Sequence, residues 1–123
     1  MSEPTYDPDY LNFIALFNEG RYDESHEALL PAWQENIRYE FYKALIQLAG
    51  ALEHWSEGNC FWAADLFASS HNLLTKYAPT HEGLDVDRLL DEIQECHAIA
   101  IEALKHGSSK ELTPPRLVLL EGE

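Results

Sequence analysis

The stretch Phe17–Trp62, FNEGRYDESHEALLPAWQENIRYEFYKALIQLAGALEHWSEGNCFW, decides the fold. It holds two Glu-Gly turns, Glu19-Gly20 and Glu57-Gly58, and between them one long apolar segment. From about Arg38 to Glu57 the residues Phe41, Tyr42, Leu45, Ile46, Leu48, Ala49, Leu52 and Trp55 leave few faces polar. A helix that is apolar nearly all round is central and buried. Gly58 stops it, and Asn59 is placed to cap the next helix.

The neighbouring segments carry the same period. Asp7-Pro8 opens a first helix, a capping residue followed by Pro at the first helical position. Its stripe Tyr10, Phe13, Ile14, Phe17 falls at i, i+3, i+4, i+7, and Gly20 ends it. A second helix, capped near Asp23, runs to about Asn36 with Leu29, Ala32 and Trp33 as its stripe and His26 one turn earlier. Pro31 lies inside it. A mid-helix proline frees the Glu27 carbonyl, costs ~3 kcal/mol in an ideal helix, and predicts a kink.

A fourth helix is expected over about Cys60–Tyr77, ended by Ala78-Pro79, and Thr80–Leu84 reads as a loop. Asp85 caps a fifth helix with the stripe Val86, Leu89, Leu90, Ile93, Cys96, Ala100 and Leu104. Lys105 and His106 suit its negative end, and Gly107 terminates it. Beyond it, Thr113-Pro114-Pro115 cannot be helix interior. The apolar run Leu117–Leu120 must be covered, by packing back on the domain as an extended arm or by docking on a second copy. The expected fold is therefore all-α: a five-helix bundle of two antiparallel hairpins plus a C-terminal helix and arm. Residues 1–107 form one helical domain and 108–123 the arm.

Phe17-Asn18-Glu19-Gly20 also matches Trp55-Ser56-Glu57-Gly58 at an offset of 38 residues. This resembles tetratricopeptide helix pairs, whose period is ~34. Two units at too long an offset read as two stacked hairpins, not a solenoid.

Composition limits the function. With 22 acidic and 8 basic residues the net charge is −14, which repels nucleic-acid backbones and anionic membrane surfaces. A basic protein partner and a solubility adaptation to a salty cytoplasm both fit that charge. No apolar run approaches the ~18 residues of a membrane span. The start MSEPTYDPDY has no apolar core of a signal peptide. Cys60 and Cys96 form no metal-type or redox motif, so free thiols in a reducing cytoplasm are expected.

Candidate chemistry concentrates on the second and third helices. Glu40, Lys43, Gln47, Gly50 and His54 recur at spacings of 3 and 4 and share one face. Gly50 costs ~1 kcal/mol against Ala in a helix centre, which is usually repaid by close approach of a backbone or a ligand. The face reads either as the wall of a polar pocket or as solvated surface with Gly50 admitting a neighbouring helix. On the second helix, Glu24, His26, Glu27 and Trp33 accompany it. His26 can exchange a proton near neutral pH, and Glu27 beside it would orient the ring. The acids Asp23, Glu24 and Glu27 equally suit a helix N-terminus without any site. A zinc helix needs His-Glu-x-x-His, and the fourth position after His26 is Leu30, so no metal and no cofactor is expected. His71, His81, His97 and His106 read as packed, loop or helix-end residues. Ser69-Ser70-His71 is a poor nucleophile–base pair, because neighbours along a helix do not face each other.

These residues resemble a known family. Phe17, Gly20, Glu24-Ser25-His26-Glu27, Trp33, Leu45-Ile46-Gln47-Leu48-Ala49, His54, Gly58-Asn59 and Ala63 follow the pattern of the bacterial and archaeal domain of unknown function 309, over roughly residues 13 to 104. The resemblance implies a small helical domain without an established activity. It implies Glu24, His26, Glu27, Trp33, Gln47, His54 and Asn59 as the polar positions. The chain departs from the pattern at Leu30 and Pro31, where the family tends to carry acids; an acid at position 30 would pair naturally with His26. The expected role is a cytoplasmic binding or interaction module for a protein or small molecule, a homodimer being one option. His26, Glu27, Gln47 and His54 would surround one pocket lined by Trp33. The rival expectation is a small hydrolase using His26 or His54 as general base, oriented by Glu27 and open to metal assistance. Exposure of Phe61, Trp62 and Leu117–Leu120 would hint at self-association.

Overall fold

The computed structural model describes residues 6–107 and 110–120. The opening Met1–Thr5 and, in the arm, Ser108, Ser109 and residues 121–123 lie outside the described residues. The elements are α1 (Pro8–Asn18), α2 (Tyr22–Glu35), α3 (Glu40–Ser56), α4 (Cys60–Leu74), a short 3-10 turn (Thr75–Tyr77), β1 (Thr80–His81), β2 (Leu84–Asp85) and α5 (Val86–His106). The fold is the expected all-α bundle with an extended arm.

The repeated aromatic-x-Glu-Gly sequence is realised as two copies of one turn. Gly20 and Gly58 adopt φ of 80° and 83°, a left-handed conformation that costs a residue with a Cβ about 1 kcal/mol or more. In the first turn, Arg21 N–H donates to Leu16 O at 3.0 Å and Gly20 N–H to Phe17 O at 2.9 Å. In the second, Asn59 N–H donates to His54 O at 2.8 Å and Gly58 N–H to Trp55 O at 3.0 Å. Both are the Schellman pattern, in which the residue after the glycine reaches back five positions. The turns join α1 to α2 and α3 to α4 as antiparallel pairs, and α2 packs on α3.

α3 is the central helix. Phe41, Ala44, Leu45, Leu48, Ala49 and Ala51 are fully buried, against α2 on one side and α4 on the other. Burying a Leu or Phe of this kind contributes about 1.5–3 kcal/mol each. The remaining side of α3, with Ile46, Gln47, Gly50, Glu53 and His54, is only half-buried. α1 contributes Tyr10, Phe13, Ile14 and Phe17 to the core, and α5 contributes Val86, Leu89, Ile93, Cys96 and Ala100. Leu104, expected on the α5 stripe, is exposed in the last turn of the helix.

Four local expectations change. α2 begins at Tyr22 with Arg21 in the cap position, and no side chain caps it; Asp23 sits inside the first turn. α2 runs unbroken through Pro31, and both Pro31 and Glu27, whose carbonyl loses its helical partner there, are exposed. The expected fourth helix is α4 to Leu74 followed by the tighter 3-10 turn. The expected loop Thr80–Leu84 is a minimal antiparallel hairpin, Thr80 opposite Asp85 and His81 opposite Leu84. Glu82 and Gly83, at φ of 43° and 79°, form its two-residue turn, as a type I′ hairpin requires.

The arm lies against the bundle. Leu112, Pro115 and Leu117 are buried. The Asn18 side chain holds Leu117 at two points: Nδ2 donates to Leu117 O at 2.7 Å, and Leu117 N–H donates to Oδ1 at 2.9 Å. Leu120 N–H donates to Gly83 O at 2.6 Å. A Cβ at Gly83 would meet the Tyr6 hydroxyl at 2.5 Å and Leu119 at 2.9 Å, so both segments close on the hairpin turn.

Candidate functional site

Antiparallel packing sets the start of α2 beside the end of α3. The two helices and Leu66 of α4 enclose a groove of about 320 Å³ lined by Tyr22, Asp23, His26, Ile46, Gln47, Ala49, Gly50, Glu53, His54 and Leu66. Three residues singled out from sequence, His26, Gln47 and His54, share this wall with Gly50. A ligand-sized groove mostly apolar with a few convergent polar groups is the usual form of a small-molecule site.

Gly50 forms its floor. A Cβ built there would meet a single neighbour, Leu66 Cδ1, at 3.4 Å, and no backbone approaches. The one close neighbour is the flexible end of a side chain, which would have to give by a few tenths of an ångström, and an alanine would project into the groove. Above it, the Gln47 Oε1 atom is buried without any donor among the described residues. An unpaired buried acceptor costs about 1–3 kcal/mol. The Gln χ3 torsion is soft, so the carboxamide turns at little cost to meet a donor.

The carboxylates at the groove are not the expected ones. Asp23 lies three residues before His26 and Glu53 three after Gly50, so each shares a face with its partner. Glu27 follows His26 by one residue, about 100° round the helix, and is exposed and off the wall. It makes no hydrogen bond or ion pair with His26. Glu24 is exposed and held by Arg21, Nε to Oε1 at 2.9 Å and Nη2 to Oε2 at 2.5 Å. These charge-assisted bonds hold its carboxyl below the ordinary glutamate range. Arg21 also binds Glu19 at 3.1 Å, so the guanidinium is occupied on the flank of the groove. Trp33 is half-buried, lies outside the lining, and keeps its indole Nε1 buried without an acceptor among the described residues. Asn59 stands at the edge: its Nδ2 donates to His54 Nδ1 at 3.4 Å instead of capping α4. That contact leaves the neutral His54 proton on Nε2. Of the polar line on α3, Glu40 is drawn away by an ion pair with Lys76, and Lys43 is exposed.

A second polar cluster was missed in the sequence reading. The Tyr39 hydroxyl donates to Glu82 Oε2 and lies 2.6 Å from His81 Nε2, whose proton it accepts. The His81 ring packs at 4.6 Å from both Phe41 and Tyr77. Tyr10 hydroxyl donates to Glu82 O at 2.8 Å. Burial first, then the Glu82 carboxylate, pushes both the Tyr10 and Tyr39 phenols well above the ordinary range. The available signal was the Glu82-Gly83 dipeptide between Thr80-His81 and Leu84-Asp85, a hairpin pattern too short to show alternation.

Elsewhere, Cys96 is buried and Cys60 half-buried, both free; burial pushes the Cys96 thiol up to about 12. Phe61 and Trp62 are exposed and stacked edge-to-face at 5.1 Å, while in the arm Val118 and Leu120 are exposed and Leu117 is not. Among the described residues, no three His, Cys, Asp or Glu side chains converge as metal ligands, and no helix is long and apolar enough to cross a membrane.

No curated protein and no solved structure matches the chain. The model of one family, a domain of unknown function (DUF309), matches residues 10–66. The match ends at Leu66, short of the extent to Leu104 expected from the resemblance, and it takes in every lining residue of the groove. Over this segment, which builds most of α1, all of α2 and α3 and the first half of α4, the chain is similar to the DUF309 family.

Proposed function

We propose that this protein is a binding module whose site is the groove between α2, α3 and α4, with His26, Gln47 and His54 as its polar contacts. The observation that carries this reading is Gly50. It sits in the centre of the most buried helix, where Ala would be more stable by about 1 kcal/mol, and only a side chain at 3.4 Å faces the missing Cβ. A groove that must stay open for a ligand accounts for that loss. Cys60 and Cys96 as free thiols suit a reducing cytoplasm as its location. The test is a ligand-observed NMR screen of small fragments of mixed charge against the protein and Gly50→Leu, with circular dichroism to confirm that the variant folds. Fragments that bind the wild type and are lost in Gly50→Leu support the reading. An unchanged set of binders, or none at the groove, ends it.

The alternative is a small hydrolase using His26 or His54 as general base. Its support is that both imidazoles line one groove with Asp23 and Glu53. Neither ring has a carboxylate partner in place, which leaves it behind the binding reading. Any hydrolytic turnover found should vanish in His26→Gln or His54→Gln; turnover surviving both removes this alternative.

A further inference from the structure

We propose that the groove takes a small organic cation, a primary alkylammonium whose N–H groups meet the carboxylates and Gln47 and whose stem lies on the apolar wall. The inference rests on the groove being a ligand site. Three independent features carry it. First, Asp23 and Glu53 both line the groove, and neither makes an ion pair or side-chain hydrogen bond among the described residues. Second, one basic side chain at the flank, Arg21, is committed elsewhere, bound by both Glu19 and Glu24. The groove's negative charge is thus left for a ligand, in a chain of net charge −14. Third, the orphaned buried group at this wall, Gln47 Oε1, is an acceptor and is satisfied by a donor.

An ammonium is three donors and no acceptor, the complement of two carboxylates and a carbonyl oxygen. Ile46, Ala49 and Leu66 supply apolar surface for a short stem, and the missing Cβ of Gly50 leaves room for it. An anionic ligand would face two unpaired carboxylates, and a neutral apolar one would leave Gln47 Oε1 unpaired. Each of those arrangements is penalised when water is excluded.

The experiment uses three probes with one carbon skeleton: butylammonium, butan-1-ol and butyrate, titrated into the isotopically labelled full chain and followed by backbone amide shifts. Butylammonium should move the amides of His26, Gln47, Gly50 and His54, with the other two at least tenfold weaker. Asp23→Asn/Glu53→Gln should weaken it at least tenfold. Asp91→Asn/Glu95→Gln, which removes the same charge from the exposed side of α5, should leave it unchanged. Equal loss in both double variants would mean attraction to net charge alone and overturns the inference. If butanol or butyrate binds as well and is lost in Gly50→Leu, the cation inference fails while the groove reading stands. No shift with any of the three also overturns the inference, and the groove is then judged by the mixed fragment screen alone.

Discussion

Two histidine-bearing regions of this molecule are made from similar parts and end in opposite states. Around His81, a tyrosine, a glutamate and a ring of aromatic side chains satisfy one another: Tyr39 bridges His81 and Glu82, and Tyr10 takes the Glu82 carbonyl. Around His26 and His54, two carboxylates, a carboxamide and two imidazoles line a groove where, among the described residues, these side chains make only the Asn59–His54 contact. The first region spends its polar groups on holding the fold. The second holds them apart, and α3 bears a glycine there whose missing Cβ would meet only the end of the Leu66 side chain. Satisfied polar networks rigidify a structure, whereas groups left open belong to binding surfaces. The difference shows that a polar cluster is assigned by its unmade contacts more than by its residue types.

The contrast can be broken most forcefully at Phe41, fully buried between Tyr10, Tyr42, Tyr77 and His81. Phe41→Ala should destabilise by about 3–5 kcal/mol, read from urea denaturation. A cost under about 1 kcal/mol would mean the cluster is not the tightly packed region described. A gentler cut is Tyr39→Phe, which strips the donor from Glu82 and the acceptor from His81. It should cost about 1–3 kcal/mol, since both partners are half-buried. No loss would place the Tyr39 hydroxyl among contacts that water replaces freely. The smallest change should carry the opposite sign. Gly50→Ala is expected to stabilise by about 0.5–1 kcal/mol, with the urea midpoint rising. Destabilisation would show that Leu66 cannot yield the few tenths of an ångström asked of it, and that packing does require the glycine.

Much of the architecture was legible because long helices declare themselves by period. Tyr10 to Phe17, Leu29 to Ala32 and Val86 to Ala100 are buried as their spacing requires. The hairpin at Thr80–Asp85 was not legible, for two-residue strands have no period to read, and the Tyr39–His81–Glu82 contacts span more than 40 positions. In the groove, Gln47, Gly50 and His54 share the α3 face that their spacing predicts, and His26 faces them from α2. Glu27 and Glu24 were chosen for adjacency to His26 along the chain, which on a helix points away. Asp23 was read as a cap because aspartate at a helix start usually is one. The Schellman turn at Gly20 instead places Arg21 in the cap position and moves Asp23 onto the wall. Trp33 lies a further two turns along α2 from His26, beyond the reach of the groove.

The clamp between Asn18 and Leu117 joins residues 99 positions apart, and Tyr6 and Leu119 come together at Gly83. The described chain is therefore nearly a closed ring. The entropy cost of closing a loop grows only as the logarithm of its length, so this closure costs little more than a loop half as long. Helical segments ordinarily melt inward from their free ends. Here both outer segments are tied at one place, and the helices that carry the groove lie wholly inside the ring. Separating the segments on either side of that ring must undo the Asn18 clamp and the contacts at Gly83. The open site thus sits in the part of the described chain that these contacts enclose.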